Sequence, residues 1–269
     1  MMEVTIATAA FRSLKGTVMQ HPQMCKECPV ANQCILRLTR PAEQLDRPEN
    51  ELKILTIKKK DTQALTQLLK ENAITTRHGA FKVTDEGGDI LFLTGEGSLF
   101  GPELHLPRIK IEFHARPLMP EIEVCALPWS AFRKNAEARP ALMEHVLVEM
   151  ANNALTSRLA FQWTKRSLRD RAILLLDMLR ERFGTRYGQF KMIKVPLTKI
   201  DIASMMSTVQ ESAVRVLSEL RENGLISQNG KRIIILDNDR LDHLIQEIRD
   251  SQRAVLQPAL QEVPAPKEP

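Results

Sequence analysis

The stretch LTKIDIASMMSTVQESAVRVLSELRENGLISQNGKRIIILD, Leu197 to Asp237, decides the fold. Thr198 stands three residues before Asp201, the spacing at which a hydroxyl and a carboxylate cap a helix start reciprocally. Ile202, Met205 and Met206 supply the apolar side of the short helix that follows. Ser207-Thr208 is the tight connection, and Thr208 with Glu211 repeats the capping spacing at the head of a longer helix. Ala213, Val216, Leu217 and Leu220 recur at i, i+3, i+4 and i+7 and so share one buried face. Gln210, Glu211, Val214 and Arg215 are left on an outward face near the helix start. Two helices with a short turn, the second offering polar groups at its N-terminal end, form a helix-turn-helix. Asn223-Gly224 closes the second helix, and Asn229-Gly230 reads as a two-residue hairpin turn between Leu225-Ile226 and Ile233-Ile234-Ile235. A hairpin in that place is a wing, with Lys231 and Arg232 at its tip suited to phosphates.

The chemistry of those side chains points to duplex DNA. Arg215 can offer a bidentate fork to guanine O6 and N7, and Glu211 can accept from cytosine N4 or orient Arg215 one turn away. The plainer reading of Glu211 is a capping residue, and that of Arg215 a surface helix arginine.

Working outward, Ser167 to Phe183 reads as a helix with Ala172, Leu175, Leu176 and Leu179 on one face and Gly184 at its end. Before it, Pro140 fits a first helical position, and Ala141 to Trp163 runs without Gly or Pro, a length of about 35 Å at ~1.5 Å per residue. Leu142, Val146 and Met150 make one apolar stripe, with Leu147 and Ala154 beside it. Such a helix can pack on its own domain or on its twin in a dimer. From about 50 to 130 the pattern is short and strand-like. His78-Gly79, Asp85-Glu86-Gly87-Gly88 and Gly95-Glu96-Gly97 act as turns between runs such as Ile90-Leu91-Phe92-Leu93. Ile109-Lys110-Ile111-Glu112-Phe113 alternates at period two, and Ile122 to Leu127 alternates less cleanly. Several short strands with regular turns predict a small barrel or sandwich, so the chain is α+β with its strands first. Pro264, Pro266 and Pro269 mark a tail expected to be disordered.

The four cysteines are grouped. Cys25, Cys28 and Cys34 fall in CKECPVANQC, a C-x2-C-x5-C arrangement, and Cys125 lies far downstream. In a reducing compartment clustered thiols favour metal or redox chemistry over structural disulfides. A C-x2-C pair can turn two thiolates towards one centre, and Cys34 reaches it after a short loop. Four thiolates complete either a tetrahedral zinc site or a four-iron cluster, and composition does not choose. Zinc sites usually draw on two C-x2-C knuckles, so the tight triplet with one remote partner suits iron–sulfur better. Four thiols with no shared role is the bland alternative.

Composition sets the outer limits. The 269 residues, 43% of them hydrophobic, suffice for about two domains at ~150 residues each. The 38 Lys+Arg against 33 Asp+Glu give +5, which permits nucleic acid without demanding it. Lys165, Arg166, Arg169 and Arg171, followed by Arg180, Arg182 and Arg186, read by themselves as a solvated helix face. Aromatics are 4%, too few for a stacking platform on single strands. No run of about 18 apolar residues predicts a membrane span, and the expectation is a cytoplasmic protein. GGDILFLTGEG lacks the strand–G-x-G-x-x-G–helix context of a nicotinamide or flavin site, so an enzyme is not expected.

With these residues in place, the chain resembles the CRP–FNR family of bacterial regulators, and within it the FNR branch, the fumarate and nitrate reduction regulators. Glu211 and Arg215 match the family's Glu-x3-Arg. CKECPVANQC repeats the branch's cysteine spacing, and Cys125 in EIEVCALPWSAF sits where its fourth ligand falls. TDEGGDILFLTGEGSLFG, Thr84 to Gly101, is similar to the β-roll stretch. The resemblance implies a cysteine-bearing segment 1–40, a β-roll sensor domain 41–138, a dimerisation helix 139–164, a winged helix-turn-helix 165–245 and a partly disordered tail 246–269. It implies a 4Fe-4S cluster on Cys25, Cys28, Cys34 and Cys125, which oxygen degrades, with weakening of the homodimer and of its hold on a palindromic promoter site. It also implies contact with RNA polymerase. Two departures stand out: Val214 replaces the serine that the branch commonly places before the recognition arginine, and Gln33 precedes Cys34 where an apolar residue is usual. Arg116 is followed by Pro117 rather than Ser or Thr, which disfavours cyclic-nucleotide binding. The competing readings are a winged-helix regulator with a structural zinc or a thiol–disulfide switch and, from another class, an iron–sulfur electron carrier.

Overall fold

A computed structural model describes residues 15–18, 28–36, 52–101 and 112–261. The chain falls into two compact units, Met1–Leu159 and Ala160–Pro269, each described by itself.

The first unit is a roll of two antiparallel sheets. One runs β1 (Lys15–Val18), β2 (Lys53–Lys58), β8 (Glu121–Pro128), β3 (Asn72–His78), β6 (Leu99–Phe100); the other runs β5 (Ile90–Thr94), β4 (Phe81–Thr84), β7 (His114–Pro117). Strand alternation explains the core. Side chains two apart share a face, so β8 turns Ile122, Val124 and Ala126 into the roll with Leu55, Ile57, Ile74, Phe81 and Phe100. Its other face carries Cys125 and Leu127 into a second apolar cluster. Both faces of β8 are buried, which is why its sequence alternates poorly. Phe81 and Phe92 meet Phe100 edge-on, with centroids 5.9 and 5.5 Å apart.

Two expectations for this unit need correction. The strand at 109–113 is not found: residues 109–111 lie outside the described residues, Glu112 and Phe113 are not in a strand, and β7 begins at His114. Phe113 instead buries its ring in the roll, and β7 is an edge strand, where Pro117 costs no ladder bond. The segment was also not all strand, because α1 (Thr62–Glu71) buries Ala64, Leu65, Leu68 and Leu69 at helical spacing.

After α2 (Trp129–Glu137), α3 (Pro140–Trp163) starts on its expected proline. Leu142 and Val146 are buried in the second cluster with Met150 against it. Leu147 and Ala154, read as flanking that stripe, are exposed.

In the second unit, α4 (Leu168–Phe183) is capped by Ser167, whose hydroxyl accepts from the Asp170 amide at 3.1 Å. Gly184 ends it because a Cβ there would lie 2.2 Å from the Arg180 carbonyl oxygen. Next come β9 (Gly184–Tyr187), β10 (Phe190–Ile193), α5 (Lys199–Met205), α6 (Gln210–Glu222), β11 (Ile226–Asn229) and β12 (Arg232–Ile235), with sheet order β11-β12-β10-β9. α7 (Asn238–Gln261) buries Leu241, Ile245 and Ile248. The segment expected to be tail from 246 is therefore helical to Gln261, and Pro264, Pro266 and Pro269 lie outside the described residues.

Candidate nucleic-acid interface and cysteine cluster

The expected capping box on α5 is present. The Asp201 amide donates to Thr198 Oγ1 at 3.1 Å, and the Thr198 amide donates to Asp201 Oδ2 at 2.9 Å. The second box, Thr208 with Glu211, is not. Ser207 takes a left-handed backbone (φ 50°), which delays the helix start. Val209 becomes the N-cap, without a side-chain cap bond, and Glu211 falls in the first turn of α6. The capping role for Glu211 is thus overturned.

Ala213, Val216, Leu217 and Leu220 are buried as the periodicity requires. Gln210, Glu211 and Arg215 are exposed, and Val214 is half-buried between the faces. Glu211 lies where a helix N-terminus favours negative charge. The sequence reading missed the exposed Val209 at the same end.

The wing is shifted by one residue from its expected turn. Asn229 pairs with Arg232, so the loop is Gly230-Lys231, with Gly230 at φ 60°. Lys231 stands at the tip, whereas Arg232 is on β12 and its Nε donates to the Lys194 carbonyl at 3.1 Å.

The basic run of α4 and its approach is a solvated face only in part: Lys165, Arg182 and Arg186 are exposed, and Arg180 is buried. Arg169 pairs with Glu219 at 3.2 Å, and Arg166 donates to the Ile248 carbonyl at 3.4 Å. Among the described residues Arg171 donates to four backbone carbonyls. Arg180 is 8% exposed, with Asp177 and Asp242 each at 2.6 Å. Burial works against its charge, but its hydrogen bonds to Asp242 and Asp177 prevail and raise the guanidinium above its ordinary range.

In the first unit three of the cysteines share one apolar cluster. Cys34 and Cys125 are buried members of the second cluster, and Cys28 packs against it half-buried. Cys25 lies outside the described residues. The same cluster holds Val30, Ile35, Leu36, Leu127, Phe132, Leu142 and Val146. Gln33 packs on the β5–β6 turn, where a Cβ on Gly97 would fall 2.9 Å from the Gln33 Cβ. Among the described residues no three His, Cys, Asp or Glu side chains form a group able to hold a metal. The donors that the described cysteines offer in the cluster are nonetheless sulfurs, in apolar surroundings, which suits a thiolate-held group.

Residues 171–244 match the Crp-like helix-turn-helix domain family. Electron transport regulator A of Shewanella oneidensis is 25% identical over 84% of this chain and 91% of its own. Transcriptional activator protein anr of Pseudomonas aeruginosa is 24% identical over 81% and 90%. The chain thus carries a Crp-like helix-turn-helix domain and is similar over most of its length to regulators of the CRP–FNR kind. On these likenesses it is a DNA-binding transcription regulator and not an enzyme, in keeping with the α+β fold of strands followed by a winged helix. FixK2 from Bradyrhizobium japonicum shares that fold, with a TM-score of 0.55 at 19% identity over 65% of this chain and 87% of its own. No described helix of the chain is long and apolar enough to cross a membrane.

Proposed function

We propose that this regulator binds a palindromic site on double-stranded DNA as a homodimer, under control of a 4Fe-4S cluster held by Cys25, Cys28, Cys34 and Cys125. When bound, the cluster supplies reactivity towards oxygen or redox change that a structural zinc would not. The observation that carries the reading is the shared apolar cluster: Cys28, Cys34 and Cys125 pack with Leu142, Val146 and Met150, the first turns of α3. A change in how the thiolates are held therefore acts on the helix that would meet its twin. A few kcal/mol of bias on a monomer–dimer balance is enough to change DNA occupancy.

On the DNA side, Arg215 reads guanine, Gln210 and Glu211 contact neighbouring base edges, and Val214 meets a thymine methyl. Lys231 and Arg232 neutralise phosphates. The proposed organisation is a cysteine segment 1–40, a sensor roll 41–138, a dimerisation helix 139–164 and a reading domain 165–245, with α7 closing that domain. The described roll interior supports the reading without cyclic nucleotide, since it is filled by Phe81, Phe100 and Ile122 while Arg116 is exposed on β7. Contact with RNA polymerase and action in the cytoplasm complete the proposal.

Cys125→Ser tests it. The variant is expected to stay folded, to lose iron and sulfide, and to lose air-dependent binding to an FNR-type palindrome. A Cys125→Ser protein that binds and responds to air as wild type does overturns the four-ligand reading. A colourless wild type holding stoichiometric zinc overturns the cluster.

A further inference from the structure

We propose that Arg171 is the positioning residue that registers the recognition helix α6 against the linker leaving α3, through one guanidinium shared by four backbone carbonyls of the second unit. From α4, its Nε donates to the Arg166 carbonyl at 3.1 Å, and its Nη2 donates to the Thr164 carbonyl. Its Nη1 donates to the carbonyls of Met206 and Ser207 at 3.2 and 3.3 Å. The first two belong to the linker between α3 and α4; the last two belong to the turn between α5 and α6. Arginine alone offers five N–H donors in a rigid planar fork, and a lysine ammonium has three without that geometry.

The turn needs such a hold. Ser207 is the one non-glycine residue with positive φ among the described residues, at 50°, a conformation that persists where its surroundings over-determine it. Within the turn, Met206 donates to the Ile202 carbonyl at 3.0 Å, Ser207 to Ser204 at 2.9 Å and Thr208 to Ala203 at 3.0 Å. These bonds shape the turn, but none ties it to another helix. Arg171 does, with charge-assisted bonds to the successive carbonyls of Met206 and Ser207, separated by Thr208 from Val209, the N-cap of α6. The direction of α6 thus depends on where the linker carbonyls hold the same guanidinium. Arg166 fixes that linker on its other side through the Ile248 carbonyl of α7. A shift of the linker is transmitted to the reading helix without passing through the hydrophobic core of the unit.

The functional half of this inference rests on the reading of α6 as the DNA-contacting helix; the structural half does not. The test uses full-length wild type, Arg171→Met and Arg171→Lys. Amide hydrogen exchange is followed at Met206–Thr208 and, as an internal control, at Ile233–Ile235 of the wing. Affinity is measured for an FNR-type palindrome and for a non-specific duplex of the same length. Arg171→Met is expected to speed exchange in the turn about tenfold or more with the wing within about twofold. It is expected to weaken palindrome binding about tenfold with non-specific binding within about twofold. Arg171→Lys should fall between it and wild type. Unchanged exchange in the turn overturns the proposal, and so does a rise spread equally over turn and wing, which would mark general loosening. A wild type that fails to prefer the palindrome would overturn the DNA reading, while the exchange arm still decides the role of Arg171 in the turn.

Discussion

Arg215 is the residue on which the proposed sequence readout turns. Its side chain is exposed on the first turns of α6, opposite a face sealed by Ala213, Val216 and Leu217. Truncation to alanine removes a bidentate donor from a helix that otherwise keeps its packing. Arg215→Ala is expected to cost about 1–3 kcal/mol of specific binding and to relax discrimination at one base pair of each half-site. Competition with single-base variants of the palindrome checks this; unchanged affinity and preference would remove Arg215 from the interface. The placement of Arg215 was legible because a helical face depends only on which residue types recur at which spacing. The role of Glu211 was misread for a local reason. The capping spacing from Thr208 is real, but Ser207 enters the left-handed region and moves the helix start on to Val209. Arg171 was not legible at all, since its partners are carbonyl oxygens, which every residue carries and no sequence pattern displays.

At the scale of elements, α3 is apolar on more of its circumference than one buried stripe requires. Leu142 and Val146 face the cysteine cluster, while Met143, Leu147, Val148 and Leu155 remain exposed. An uncovered apolar face of that kind on a long helix suits a second copy. Leu147, 60% exposed, tests this without touching the core of its own unit. Leu147→Glu is expected to weaken dimerisation about tenfold or more, since each copy would forgo burial worth about 1.5–3 kcal/mol and gain a charge. Sedimentation at several concentrations reads the shift, and a dimer as tight as wild type would place the interface elsewhere. Sequence patterns served where one face of an element meets solvent, as on α6. They failed where both faces are buried, as on β8, whose Cys125 and Val124 enter different clusters. Several elements escaped notice, α1, the β9–β10 hairpin and α7 among them. α1 was hidden by its strand-like surroundings, although Ala64, Leu65, Leu68 and Leu69 carried a helical period. The β9–β10 hairpin turns on Gly188, at φ 62°, within a short basic run. α7 is held partly by the pair between Arg180 and Asp242, distant in sequence and close in space.

For the whole molecule, composition permitted a nucleic-acid partner but did not demand one, because much of the basic excess near α4 is spent inside the second unit on Glu219, Asp177, Asp242 and backbone carbonyls. What pointed to a regulator was order along the chain: clustered cysteines, then strands, then a long helix, then a winged helix. The structure adds that three of the cysteines and the start of that long helix share one apolar cluster, so those cysteines and the start of α3 are a single packed object. The measurement that tests this account most directly is a titration of an FNR-type palindrome with anaerobically purified protein, repeated on the same sample after exposure to air, with iron and sulfide assayed in parallel. The account predicts a brown protein that binds tightly without air, then bleaches, loses sulfide and weakens on the palindrome about tenfold or more, as a shift of roughly 1.4 kcal/mol in the dimer balance would produce. Equal affinity before and after bleaching would contradict it.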